Sequence, residues 1–361
     1  MNWPEHGSNP QYTFKKMGFP MPDNYIDFSA NINPMGPPKK LKQQWGAFIE
    51  KIAEYPDPYA YTLKKKIAQK ANVESSSILI GNGASEIIHM IGQMLAFKKV
   101  LIIEPSFSEY EKACRVNGCQ IEYFYLKEPT WEIEWRDLIN KLSVVDAVFL
   151  CNPNNPTGIQ YSYSTTIRLL EECKKRDVLF IIDEAFYDFS TNYESITSLV
   201  KESNQIVLLR SLTKIYSIPG LRLGYLIAHP SIIEKLSPYQ PQWSINSVAM
   251  QAGEVCLEED SFIHKTVGFI KEERARLFSF FDREGFNVSA SSVNFYLLQD
   301  PSKEALALFA YLLKRGLVPR HTYNFPGLDG KWLRFAIKST EENSRLMEVL
   351  SEWKRLPCSP L

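Results

Sequence analysis

Residues 206–228 read IVLLRSLTKIYSIPGLRLGYLIA, two apolar runs of strand length, IVLL and LGYLIA, joined by a polar turn. The turn carries Ser211, Thr213, Lys214 and Arg222. A lysine between two buried strands is costly unless it is paired or covalently used. Its amine is the group that condenses with a carbonyl carbon. Two hydroxyls and a guanidinium beside it are the groups that hold a phosphate. Taken alone, the segment also describes a surface loop with ordinary polar residues.

On the N-terminal side, short continuous apolar runs alternate with helical periodicity. SILI (77–80), VLII (100–103), DAVFLC (146–151), VLFIID (178–183) and IVLL (206–209) read as strands. Helices are expected over 85–97, 107–117 and 163–176. Continuous apolar strands separated by helices predict a mostly parallel sheet covered on both faces, an α/β fold. Farther upstream, helical periodicity covers 39–53, breaks at Tyr55-Pro56-Asp57-Pro58 and resumes over 59–71. From about 239 the pattern changes. Helices are expected over 244–258, 262–284, 303–315 and 340–354, with strands at 293–298 and 332–337. The expected organisation is an extended N-terminal arm (1–38), a large domain (39–238) and a smaller α+β domain (239–361).

The 361 residues suffice for a large core, and 41 basic residues balance 41 acidic ones. That balance gives no general pull toward nucleic acid or a membrane surface. The start, MNWPEHGSNP, lacks a basic region followed by an apolar core, so a cytoplasmic protein without a leader is expected. Cys114, Cys119, Cys151, Cys173, Cys256 and Cys358 form no CxxC pair and read as reduced thiols. Five histidines without ligand spacing argue against a metal site.

Three further motifs sit where strands end. Gly81-Asn82-Gly83-Ala84-Ser85-Glu86 follows a strand and opens a helix, the place where backbone N–H groups bind phosphate. It lacks the remaining glycines of a dinucleotide fingerprint and the Lys-Ser/Thr of a Walker loop. Asn152-Pro153-Asn154-Asn155-Pro156-Thr157-Gly158 follows another strand, at the edge where open α/β sheets bind ligands. Asp183-Glu184-Ala185-Phe186 ends the next one, with a carboxylate suited to a cationic nitrogen or to a helix cap. Each is ambiguous alone.

Their joint order, NPxNPTG, then DEA, then SxxK with a following GxR, resembles the fold-type I pyridoxal phosphate (PLP) enzymes of the aspartate aminotransferase superfamily. The resemblance covers nearly the whole chain and implies that fold. It implies that Lys214 bonds to PLP and moves protons at the substrate, and that Asp183 pairs with the pyridine nitrogen. Asn155 is implied at the phenolic oxygen. Ala84, Ser85, Ser211, Thr213 and Arg222 are implied at the cofactor phosphate, and Tyr110 on the ring face. Tyr55 matches a tyrosine donated to the phosphate from a neighbouring subunit, which implies a homodimer with shared active sites. Arg334 aligns with the arginine that grips the substrate α-carboxylate.

Within the superfamily, HGSN, DFSANINPMGPP, GNGASE, RSLTKIYSIPGLRLGYL, WSIN and NFPGLD look like the L-threonine-O-3-phosphate decarboxylases. Those enzymes convert O-phospho-L-threonine to (R)-1-amino-2-propanol phosphate and CO₂ for cobalamin biosynthesis. Phe186 points the same way, because aminotransferases usually carry tyrosine there and the decarboxylases share the phenylalanine. Tyr187, next to it, is expected to point away. The resemblance implies a substrate phosphate, with His6, Asn31 and Lys338 as its expected anchors. A histidinol-phosphate-type or broader aminotransferase is the alternative. A PLP-fold transcription regulator would need an added DNA-binding domain for which the chain shows no room.

Overall fold

A computed structural model describes residues 3–357, which leaves Cys358 outside the described residues. Thirteen strands follow in chain order among them. The first is the short β1 (Ile26–Asp27), and a second group is β2 (Ile78–Asn82), β3 (Lys99–Glu104), β4 (Gln120–Tyr125), β5 (Ala147–Cys151), β6 (Leu179–Asp183), β7 (Ile206–Ser211) and β8 (Leu223–Ala228). The C-terminal group is β9 (Asn287–Val288), β10 (Phe295–Gln299), β11 (Leu317–Val318), β12 (Arg320–His321) and β13 (Leu333–Ala336).

The second group forms one seven-stranded sheet, ordered β2-β8-β7-β6-β5-β3-β4. All its pairings are parallel except those of β8, which runs antiparallel to both β2 and β7. Successive side chains leave opposite faces of a strand, and both faces here are covered. In β7, Ile206 and Leu208 enter one core while Val207 and Leu209 enter the other. Val148 and Leu150 of β5 oppose Ala147 and Phe149 in the same way. This double burial is why the strands read as unbroken apolar runs.

The chain therefore has the expected α/β architecture. Helices Ala84–Met94 and Glu109–Val116 pack against each other. A side chain at Gly92 would come within 2.5 Å of the Ala113 carbonyl, so their close approach needs a glycine there. In the C-terminal unit, β12-β13-β10-β9 form an antiparallel sheet. Helices Asp260–Glu284, Ala305–Leu313 and Thr340–Arg355 belong to the same unit. The last begins with a capping box between Ser339 and Glu342.

The arm departs from the extended reading. Residues Pro10–Met17 form a helix, with proline in its first turn and Gly18 in the left-handed conformation after its end. The arm then returns as β1 to pair in parallel with β11. It is thereby tied to the C-terminal unit by backbone hydrogen bonds. β4 and the helix Trp135–Leu142 also go beyond the sequence reading. Among the described residues, no helix is long and apolar enough to cross a membrane.

Candidate active site

Parallel strands bring their carboxyl ends to one edge, and the recognised motifs gather there. Asp183 closes β6, Asn155 lies in the turn after β5, and Lys214 rides on the four-residue helix Leu212–Ile215 that follows β7. Gly83, Ala84 and Ser85 follow β2. β8 runs the other way, so its beginning, at Arg222, reaches the same edge. The C-terminal unit adds Arg320 and Arg334 from neighbouring positions on β12 and β13. The arm adds Glu5 to Ser8 and Ser29 to Asn31. Together they line a cavity of about 340 Å³, within the ordinary size of a small-molecule site.

Asp183 sits at the cavity floor. Its Oδ2 accepts from the Tyr110 hydroxyl at 2.5 Å and its Oδ1 from the Ala185 N–H at 2.9 Å. Burial pushes its pKa up against those two hydrogen bonds. A buried carboxylate so arranged is suited to a cationic ligand nitrogen. Lys214 is the opposite case. Burial, then the guanidinium charges of Arg222 and Arg334, push its ammonium down to about 8, while Asp183 opposes them. An amine near 8 is available in neutral form far more often than a free lysine.

One end of the cavity is built for an anion. Gly83 caps the helix Ala84–Met94 at φ +78°, and a Cβ there would lie 2.5 Å from the Arg222 Nη2. The first N–H groups of that helix and the Arg222 guanidinium therefore share one cradle. The Ser211 and Thr213 hydroxyls, 2.7 Å apart, belong to the same wall.

The other end holds two buried guanidinium groups. Arg334 donates to Asn155 Oδ1 and, at 2.9 Å, to the Ser29 carbonyl, while its Nε has no partner. Arg320 donates to the carbonyls of Pro4 at 2.8 Å and Glu5 at 2.5 Å, and to Asn324 Oδ1 at 2.7 Å. Beside it, burial and then the Arg320 charge push His321 down to about 3, so that imidazole is neutral. These acceptors bring no negative charge to either arginine. Burial pushes both down to about 9, and for Arg334 the charge of Arg320 adds to it while the Asp27 carboxylate opposes it. Two desolvated cations side by side form a site for an anionic ligand. Asn31 is also buried in this wall, with both side-chain polar atoms unpartnered.

Several expected residues sit elsewhere. Tyr110 is fully buried beneath Asp183, its ring stacked on Phe149 at 5.0 Å, and it does not line the cavity. Phe107, three residues earlier, lines the cavity instead. Phe107 lies in the turn before the helix Glu109–Val116 and Tyr110 within it, their rings meeting edge to face at 5.8 Å. Lys338 lies beyond the cavity lining, where its N–H donates to Asn343 Oδ1 near the start of the last helix. Tyr55 is 83% exposed, away from this chain's cavity, with its ring 5.0 Å from Trp243.

His6 does reach the cavity mouth, where its Nε2 lies 3.0 Å from Glu109 Oε1. Glu5 joins this group, and Lys112 bonds Glu5 and approaches Glu109, which makes the cluster an ion-pair network. Phe186 lines the cavity edge-on to Phe295, while Tyr187 packs under Arg210 and is not in the lining. Arg320 and Phe107 are among the lining residues that sequence reasoning missed. The signal for Phe107 was its place in the Pro105-Ser106-Phe107 turn directly after β3.

The fold and this site are those of a PLP-dependent class of enzymes. The model of the aminotransferase class I and II family matches residues 23–350, and the chain belongs to that family. It is 35% identical over 348 residues to the threonine-phosphate decarboxylase of Salmonella typhimurium, covering 96% of this chain and 95% of that one. An adenosylcobalamin biosynthesis bifunctional protein of Leptospira interrogans is 34% identical, over 97% of this chain and 41% of its own length. The crystal structure of the histidinol-phosphate aminotransferase from Clostridium acetobutylicum superposes with a TM-score of 0.85 at 34% identity, covering 91% of this chain and 98% of that one.

Proposed function

We propose that the protein is a PLP-dependent carboxy-lyase acting on O-phospho-L-threonine, releasing CO₂ and (R)-1-amino-2-propanol phosphate for cobalamin biosynthesis. The observation that carries the reading is the pair of buried guanidinium groups facing Lys214 and Asp183 across one cavity. A substrate with both a carboxylate and a phosphate supplies the two anions they call for. The choice of carbon dioxide loss over amino transfer is supported by the similarity to the Salmonella enzyme and by Phe186, which offers no hydroxyl to the cavity.

The residues present fit PLP. The Gly83–Ser85 helix start, Ser211, Thr213 and Arg222 would hold its phosphate, Asp183 its ring nitrogen, Asn155 its phenolic oxygen and Lys214 its aldehyde carbon. Phe107 would cover the ring. When bound, the cofactor draws away the electron pair left at the substrate α-carbon.

The chain's own groups do the rest. Arg334, fixed by Asn155 and Ser29, would grip the α-carboxylate, and Arg320, Asn31 and His6 would take the phosphate. Anchoring both anions fixes the rotation about the α-carbon, which selects the bond that breaks. Lys214 Nζ would then deliver a proton to the α-carbon in place of the departed CO₂.

The deciding experiment supplies PLP-loaded protein with O-phospho-L-threonine and no 2-oxo acid. Stoichiometric CO₂ and aminopropanol phosphate are expected. Amino transfer from histidinol phosphate to 2-oxoglutarate without CO₂ would place the protein in the aminotransferase branch. Tyr110→Phe removes one charge-assisted hydrogen bond to Asp183, and PLP affinity should fall about tenfold in a titration of the apoprotein.

A cytoplasmic homodimer with shared sites belongs to the same reading. Its support is a run of exposed apolar side chains: Trp45, Ile49, Ile52, Tyr55, Tyr59 and Tyr61. Six large apolar side chains exposed within residues 45–61 are suited to burial against a second copy of the chain. Sedimentation at micromolar protein should give twice the chain mass, and a monomer carrying full activity would refute shared sites.

A further inference from the structure

Lys214 stands on a helix of four residues, too short to hold itself. All four of its carbonyls lack partners within the helix and must find them outside. Leu212 and Thr213 are served by the Tyr216 and Ile218 N–H groups at 3.4 and 3.0 Å. The other two depend on the arm. The Asn33 backbone N–H donates to the Lys214 carbonyl at 3.1 Å, beside a longer bond from Ser217 at 3.3 Å. The Asn33 Nδ2 donates to the Ile215 carbonyl at 2.7 Å.

The same Nδ2 also donates to Thr266 Oγ1 at 2.9 Å, on the long helix Asp260–Glu284. Asn33 Oδ1 accepts from the Met35 N–H at 3.0 Å, so both ends of the amide are used. Asn33 is 2% exposed and Thr266 is fully buried. Both groups are shielded from bulk solvent, and removing one partner leaves a desolvated group behind. Two residues before Asn33, Asn31 lines the substrate cavity with its amide unpartnered. The tripeptide Asn31-Ile32-Asn33 thus connects the ligand-facing wall to the backbone that carries the amine.

We infer that Asn33 is the positioning residue for Lys214, holding its turn against the arm and the long C-terminal helix so that the amine faces the reacting carbon. Asn33 does not line the cavity and would act only through the backbone of the lysine turn. The inference rests on the proposed role of Lys214, and its test separates the two.

PLP-loaded Asn33→Ala should lose about 10- to 100-fold in kcat, the effect of a misplacement of about 1 Å, with KM for O-phospho-L-threonine changed by less than about twofold. The pH midpoint of the bound cofactor's absorbance should move upward as the linked Lys214 nitrogen loosens toward solvent. That midpoint needs no substrate, so it remains readable if the assigned substrate is wrong. Thr266→Val, nearly isosteric and leaving the Ile215 bond in place, should shift kcat in the same direction by about two- to fivefold. It stands in if Asn33→Ala does not fold. A lowered melting temperature with unchanged kcat and midpoint in the folded variant would overturn the inference, because a purely structural residue moves only stability.

Discussion

Lys214→Ala is expected to abolish CO₂ release from O-phospho-L-threonine, a loss of at least about 10⁴-fold, and to leave PLP bound without a covalent link. Borohydride treatment followed by mass spectrometry should then find no cofactor on the chain, whereas the wild type carries it on Lys214. Persistence of a reducible link at another lysine would overturn the assignment. Burial and two guanidinium charges hold the Lys214 amine at about 8. Only the neutral amine attacks a carbonyl, so capture of PLP by the apoprotein should accelerate about tenfold per pH unit below 8 and level off above it.

The same shift fixes the sign of a stability effect. The folded-state pKa lies below the ordinary lysine value of 10.5, so the unfolded chain holds this proton more tightly. The resulting destabilisation is complete below pH 8 and fades as pH rises from 8 to 10.5. Apoprotein of Lys214→Met should be more stable than the wild type at pH 7, with the gap closing over that window. Chemical denaturation at several pH values measures it.

What the chain disclosed before folding follows a physical division. The strands of the large sheet were legible because both their faces are buried, so that runs such as IVLL contain no polar interruption. β4, at the sheet edge, sets half-buried Ile121 and Tyr123 against exposed Gln120 and Glu122 and then breaks that alternation with buried Phe124 and exposed Tyr125, so its pattern is faint. The cofactor-side residues follow strands directly, and their spacing in sequence maps onto one sheet edge.

Substrate-side residues have no such ruler. Arg320 reaches the cavity only because β12 pairs with β13 beside Arg334. Lys338, with the more obvious charge and sequence position, is not among the lining residues. Tyr110 and Phe107 show the finer limit. Phe107 lies in the turn after β3 and Tyr110 on the helix that follows, and although their rings touch, Phe107 lines the cavity while Tyr110 is buried against Asp183.

Arg334→Gln should lower kcat/KM for O-phospho-L-threonine by about 10²- to 10³-fold, the scale for losing one partner of a buried charge pair. Arg334→Lys should recover little of this. A point charge lacks the planar fork that now reaches both Asn155 and Ser29. The apoprotein should respond in the opposite direction. Arg320 and Arg334 are buried neighbours whose charges repel, and their protein acceptors are uncharged. Deleting one cation removes both its desolvation cost and that repulsion, so the apo form of Arg334→Gln should unfold at higher denaturant than the wild type. Binding of inorganic phosphate or substrate should reverse the order, since only the wild type then gains the full charge pairing. A variant that loses activity and apo stability together would mean that Arg334 serves the fold, and the anion-binding role would have to pass to Arg320.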